Sequence, residues 1–264
     1  MITLLPQYDG AVVEPPPRDK NGRVRKAVYT INGREYGRVT SVLNIIDKPQ
    51  LVNWKVNKGI SKVRAVMEES LGSVVQPEYI NSLMEAARTY PDEVSESAAD
   101  RGNEIHSAIH DYVVYGVDPE HPDFDEGVTA CIHAYQAWAQ TTAMEVAANE
   151  FTVWSDMDGY AGTVDEICIK PNGHWSIVDF KTGGAYREHT LQVAAYAQGL
   201  EEMTGIPVDD AWILRIPRDQ PDDGSPQFFT KYMSTENIQN ALEAFRNALY
   251  LQRALKGPEG LLWM

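Results

Sequence analysis

Apolar and polar positions change period along this chain, and each change marks a new kind of element. Across residues 98–115, Ile105, Ala108, Ile109, Tyr112 and Val113 recur at i, i+3, i+4, i+7 and i+8, the stripe of an amphipathic helix, with Gly116 as its stop. Ile132, Tyr135 and Trp138 carry helical spacing through residues 128–144, beyond an acidic loop at 117–127. The period then shortens to two. Residues 150–154, 161–169 and 174–180 read as strands, separated by the turn signals Asp156-Met157-Asp158-Gly159 and Pro171-Asn172-Gly173, which predicts an antiparallel meander. Helical spacing returns over 187–204 and stops at Gly205 and Pro207. Two further strands, 210–216 and 227–233, precede a last helix capped by Ser234 or Thr235 and running to about Leu255.

Upstream, Pro15-Pro16-Pro17 excludes a helix interior or a central strand. Val28 to Ile31 and Glu35 to Val39 flank Asn32-Gly33 as a small hairpin, Thr40-Ser41 offers a helix cap, and residues 51–67 read as helical with Trp54 on the buried side. Residues 70–97 are polar and show no decided period. The order helices, three strands, helix, strands, helix predicts an α/β fold, with helices packed on a central mixed sheet. The expected organisation is a basic extension with a hairpin over residues 1–40, then one domain over 41–264. Its helical part is about 41–145, its sheet core about 149–233 and its C-terminal helix about 235–255.

Composition narrows the function classes. With 264 residues, 43% of them hydrophobic, the chain can bury a large core. No apolar run approaches the roughly 18 residues of a membrane span and no secretory leader is evident, so a soluble intracellular protein without a membrane partner is expected. Cys131 and Cys168 are isolated, which argues against a disulfide framework or a cysteine-held zinc or iron–sulfur site and for a reducing compartment. No GxxxxGK[ST] loop is present, so a fused ATP-driven helicase is not expected. The net charge of -15 argues against nucleic acid until it is divided: residues 1–64 hold 12 basic and 5 acidic residues, +7, and residues 65–264 hold 11 and 33, -22. Arg23, Arg25 and Lys26 lie in the basic part, which could track a phosphate backbone or form a solvated face. Leu261-Leu262-Trp263-Met264 makes an apolar tip.

The candidate chemistry sits in the meander. Period two puts Asp179 and Lys181 on one face of a strand and Val178 and Phe180 on the other, while Asp165 on the preceding strand is expected to reach the same end of the sheet. An isolated Asp-x-Lys is ordinarily a surface ion pair. Here the flanking residues are apolar, and a divalent metal with a bound phosphate would supply the missing charges. His106 borders the helical stripe, where a satisfied core histidine is the simpler reading. His106 and His110 have zinc-like spacing but lack an HExxH arrangement.

Taken together, Arg101-Gly102-Asn103-Glu104-Ile105-His106, Gly162-Thr163-Val164-Asp165, Asp179-Phe180-Lys181-Thr182 and Gln192-Val193-Ala194-Ala195-Tyr196 resemble the PD-(D/E)XK nuclease superfamily, in its RecB-like and phage exonuclease branch. The resemblance spans about residues 36–200. It implies a restriction-endonuclease-like α/β core with helical N-terminal additions, and a DNA exonuclease dependent on magnesium or manganese. His106, Asp165, Asp179 and the backbone carbonyl of Phe180 would be metal ligands, Glu150 a further acid at the metals, and Lys181 the catalytic lysine. Gln192, Tyr196, Thr182 and Arg101 would order the site or touch substrate, with Arg23, Arg25 and Lys26 on the DNA. DNA is the implied partner, together with a single-strand annealing or recombination protein, in a cytoplasm that would be the host's were the chain phage-encoded. A structure-specific endonuclease or resolvase, and a catalytically silent DNA-binding protein of the same fold, stand as alternatives.

Overall fold

The computed structural model describes residues 5, 10–17, 28–70, 72, 76–221 and 223–256. Arg23, Arg25, Lys26 and the apolar tip at 261–264 lie outside the described residues. The chain groups into two compact units, Asp47–Glu104 by itself and Met1–Ile46 together with Ile105–Met264.

The larger unit is built on one mixed sheet, which has eight strands among the described residues. Its N-terminal edge is β1 (Val13–Glu14), β2 (Val28–Ile31) and β3 (Arg34–Arg38), joined through the expected Asn32-Gly33 turn, where both residues take positive φ. A short helix α1 (Val39–Val42) follows. The meander is β4 (Glu145–Ser155), β5 (Tyr160–Ile169) and β6 (Trp175–Lys181), antiparallel throughout as expected. β7 (Asp210–Arg215) runs parallel to β6, because the intervening helix α5 (Glu188–Thr204) carries the chain back across one face. β8 (Phe229–Ser234) closes the far edge antiparallel to β7, and α6 (Thr235–Lys256) ends the described chain.

Two cores flank the sheet. On one face Val193, Ala194, Ala197 and Leu200 of α5 and Phe245 of α6 bury against Val153, Val164, Ile177 and Ile213. On the other, Ile105 and Ile109 of the helix α3 (Pro77–Tyr115) and Ile132, Tyr135 and Trp138 of α4 (Glu126–Thr142) bury against Cys168, Val178, Phe180 and Leu214. Asp125 caps α4 by accepting the Val128 amide at 2.9 Å, and Gly205 ends α5 in the left-handed conformation.

The smaller unit pairs helix α2 (Pro49–Glu69) with the first part of α3. Residues 70–97, whose polarity left them undecided, are helical from Pro77 onward and run through Pro91 without a break. Proline cannot donate to the carbonyl four residues back, which is that of Ala87. A β-carbon at Gly59 of α2 would stand 2.9 Å from that same oxygen, so the glycine lets α2 lie close over the proline site. Lys55 pairs with Asp92 at 2.7 Å and Lys62 sits over the Tyr90 ring, which engages two of the cations in the basic N-terminal part.

Candidate active site at a fork in the sheet

β5 pairs with β4 along one edge for almost its whole length, but its other edge is shared. Tyr160 and Ala161 pair with β3, Glu166 to Ile169 pair with β6, and residues 162–165 between them have no strand alongside on that edge among the described residues. Beyond Val178, β6 leaves β5 and keeps only β7, with Asp179 opposite Ile213 and Lys181 opposite Arg215. The sheet therefore forks, and the Gly-Thr-x-Asp and Asp-x-Lys segments are its two lips. Asp165 spans the mouth: its Oδ2 accepts the Phe180 amide at 2.5 Å, replacing the ladder bond that the fork removes. Asp165 thus lies within β5, inside the strand expected over 161–169, and β5 continues past the fork to pair with β3.

A second irregularity aims the carboxylates. Ala148, Phe151 and Val153 of β4 share one core, as do Val164 and Ile167 of β5, so the inward positions are separated by three residues where strict alternation requires two. The alternation slips at Asn149-Glu150 and, directly across the ladder, at Asp165-Glu166. Glu150 accommodates the slip with φ of +49°, a left-handed conformation that costs a non-glycine residue about 1 kcal/mol or more and is concentrated at functional sites. As a result two adjacent residues on each strand face the α3/α4 side. Glu150 and Asp165 meet His106, while Asn149 and Glu166 meet the interior.

His106, Glu150 and Asp165 each offer a ligand atom within 4.8 Å of the others, and His106 Nδ1 lies 3.8 Å from Asp165 Oδ1. Asp179 is buried beside them, and the Lys181 ammonium stands against its Oδ2 as an ion pair. Its other oxygen accepts from Gln192 Nε2 at 3.2 Å, and the same amide donates to the Tyr196 hydroxyl at 2.9 Å. Gln192 and Tyr196, one turn apart on α5, are therefore the back wall that fixes Asp179. Tyr196 in turn explains the glycine of Gly162-Thr163: a β-carbon there would fall 2.3 Å from the tyrosine ring. Gly162→Ala should consequently cost about 2 kcal/mol of stability through overpacking, measured by urea denaturation; an unchanged midpoint would contradict this packing.

Burial dominates the electrostatics. It raises the pKa of both Asp165 and Asp179, with Lys181 opposing the shift. For Lys181, burial disfavours the charge, but Asp179 and Asp165 outweigh it and hold the pKa above its ordinary value. His106 falls to about 4, first through burial and then through the Lys181 charge, so it is neutral at pH 7 with a lone pair to offer a metal.

Of the remaining sequence candidates, Thr182 directly follows Lys181 and lines a cleft with Gly183, Gly184, Arg215 and Arg218. Arg101 is engaged with Glu104 at 2.7 Å. His110 pairs with Asn149 and not with the metal-type cluster. Sequence reasoning missed Glu166, which is fully buried and accepts from the Tyr135 hydroxyl at 2.8 Å and from Asn149 Nδ2 at 3.3 Å, and whose pKa is pushed up to about 8 by burial. The available signal was two adjacent polar residues in an apolar strand, Asp165-Glu166, matched by Asn149-Glu150 on its partner.

The fold and site together define an α/β core with a mixed, forked sheet that carries an acidic cluster and a lysine, the arrangement implied by the PD-(D/E)XK resemblance. No protein family and no curated protein matches the chain. Among solved structures, it is similar to a candidate exonuclease from Eubacterium rectale, with 15% identity and a TM-score of 0.41, over 58% of this chain and 66% of that one, just under two thirds of its length. It is also similar to the alkaline exonuclease LHK-Exo from Laribacter hongkongensis, with 17% identity and a TM-score of 0.28, over 46% and 68% of the two chains. The structure of LHK-Exo in complex with dAMP gives 16% identity and a TM-score of 0.34, over 76% and 93%. These are likenesses of fold, and the chemistry below rests on the site itself. No helix among the described residues is long and apolar enough to cross a membrane.

Proposed function

We propose that this protein is a magnesium- or manganese-dependent DNA exonuclease that hydrolyses phosphodiester bonds, of the kind used in phage-type recombination, repair or DNA processing. The observation that carries the reading is the convergence of His106, Glu150 and Asp165 beside the buried Asp179 and Lys181 at the mouth of the fork. The donor set fits a hard divalent cation. It combines carboxylates with a neutral imidazole, and two of the carboxylates, Asp165 and Asp179, share the Lys181 ammonium, so that a cation would balance their remaining charge. His106, Asp165, Asp179 and the Phe180 carbonyl would hold the cation, with Glu150 at its exposed side. Bound there, it would polarise a phosphoryl oxygen and lower the pKa of nearby water.

The chain's own groups supply the rest. Lys181 presents a fixed positive charge to the negative charge that grows on the phosphoryl oxygens. Gln192 and Tyr196 hold Asp179 in place, and Asp165 keeps the two lips of the fork at a set separation through the Phe180 amide. DNA is the partner this chemistry suits, and a single-strand annealing or recombination protein alongside it remains part of the proposal by resemblance alone.

Two measurements test the reading. In calorimetry, manganese should bind the wild type and lose at least about tenfold in affinity on Asp165→Asn or Asp179→Asn; equal affinity in the variants would move the metal elsewhere. With magnesium or manganese, end-labelled linear DNA should be degraded while closed circles survive. Cleavage of circles would instead identify an endonuclease or resolvase, and metal binding without any cleavage would identify a silent DNA-binding protein.

A further inference from the structure

The cleft beside Lys181 contains two arginines that the reaction as described above does not use. It is lined by Thr182, Gly183 and Gly184 from the loop after β6, by Arg215 and Arg218 from the end of β7 and the loop beyond, and by Phe229 of β8. β6 and β7 are parallel, so both loops leave the same end of the sheet, the end where ligands of parallel strands ordinarily bind. Lys181 is directly opposite Arg215 in the register. The loops are tied together by the Ile216 amide on the Lys181 carbonyl at 2.9 Å and the Arg218 amide on the Thr182 carbonyl at 3.3 Å.

Arg215 is pre-positioned. Its Nε donates to the Gly183 carbonyl at 2.8 Å and its guanidinium lies 5.2 Å from the centre of the Phe229 ring, which leaves its two terminal nitrogens for something else. Arg218 comes close to Gly183: a β-carbon there would stand in ordinary contact, 3.5 Å from Arg218 Nη2. Among the described residues neither guanidinium pairs with a carboxylate, although acidic residues outnumber basic ones by 38 to 23 in the whole chain. The one acid in the lining, Asp219, is exposed. Two half-buried guanidiniums in one cleft, one of them across the ladder from the lysine and both beside a loop of bare glycine backbone, have the chemistry that recognises phosphate oxygens.

We infer that the Thr182–Gly184 loop with Arg215 and Arg218 forms a binding site for phosphates of the nucleic-acid strand that neighbour the one at Lys181, setting where the strand lies across the fork. This rests on the nuclease reading proposed above. The site provides phosphate contacts without base readout, so it serves any sequence.

The test compares the wild type with Arg215→Gln/Arg218→Gln on a labelled oligonucleotide in the presence of magnesium or manganese. The double variant should raise KM about tenfold or more while kcat falls by less than about threefold. The slope of log affinity against log salt, taken in calcium, should flatten by about 1.4 to 1.8, two phosphate contacts' worth. Arg218→Glu alone should show the same direction without disturbing the Gly183 carbonyl's bond, which comes from Arg215. Arg215→Lys should recover part of the slope. An unchanged slope and KM in an active enzyme would overturn the site while leaving the nuclease intact, whereas absence of cleavage by the wild type itself would overturn the nuclease reading. Inorganic phosphate serves as the competitor: inhibition that weakens in the variants while oligonucleotide KM stays constant would mean a free-phosphate site and would also overturn the inference.

Discussion

Lys181→Ala is expected to lower the rate of DNA hydrolysis by on the order of hundredfold or more, with oligonucleotide affinity less affected. The ammonium is the one cation placed directly at the carboxylate cluster, held above its ordinary pKa by Asp179 and Asp165, so it carries full charge at any pH used for assay. Removing it takes that charge from the phosphate and leaves Asp179 buried with only Gln192 to hold it. Loss of one partner from a buried pair costs about 3–5 kcal/mol when the other stays ionised. Activity should therefore be expressed per folded molecule, with denaturation curves run alongside, and Lys181→Gln, which keeps the chain's length, serves as the better-packed comparison. Activity of either folded variant within about threefold of wild type would remove Lys181 from the chemistry.

Glu166→Gln should make the protein more stable at alkaline pH by on the order of 4 kcal/mol, while changing little near pH 5. Glu166 is fully buried, and its pKa rises from the ordinary carboxylate value to about 8. Between about pH 4.5 and 8 the unfolded chain has lost this proton while the folded chain keeps it, so the unfolded state binds fewer protons and stability falls as pH rises across that window. Below the window both states are protonated and nothing is lost. Glutamine keeps an oxygen for the Tyr135 and Asn149 donors and cannot ionise. Urea denaturation of both proteins at pH 5, 7 and 9 gives the difference directly; a difference that does not grow with pH would mean Glu166 is ionised in the folded state. His106 works in the opposite sense, since its pKa of about 4 makes stability fall as pH drops below about 6.5, but it cancels in the comparison of the two proteins.

Much of the candidate site could be read from local pattern. Asp179 and Lys181 do share a face, with Val178 and Phe180 buried on the other, because strand alternation depends only on backbone pleat. Gln192 and Tyr196 share a helical face for a similar reason, and the turn at Asn32-Gly33 follows from the positive φ that both residues tolerate. The polar stretch at 77–97 was not legible, since its helix runs through Pro91 and is supported by contacts such as Lys55 with Asp92 from another helix. The gap beside Asp165 was equally hidden, because it depends on β3 joining the edge of β5 from more than a hundred residues away in sequence.

By itself the sequence determined most of the elements, the meander, the pairing of Asp179 with Lys181 and the residues offered as ligands, because helix and strand periods and turn preferences act over a few neighbouring positions. The tertiary structure decided the rest. The fork places Asp165 against the Phe180 amide, and the slipped alternation sends Glu150 toward His106 and Glu166 into the interior. The parallel pairing of β6 with β7 sets Arg215 beside Lys181. Each of these is a relation between strands, fixed by ladder register and by what α3, α4 and α5 bury, and no period within one strand encodes it.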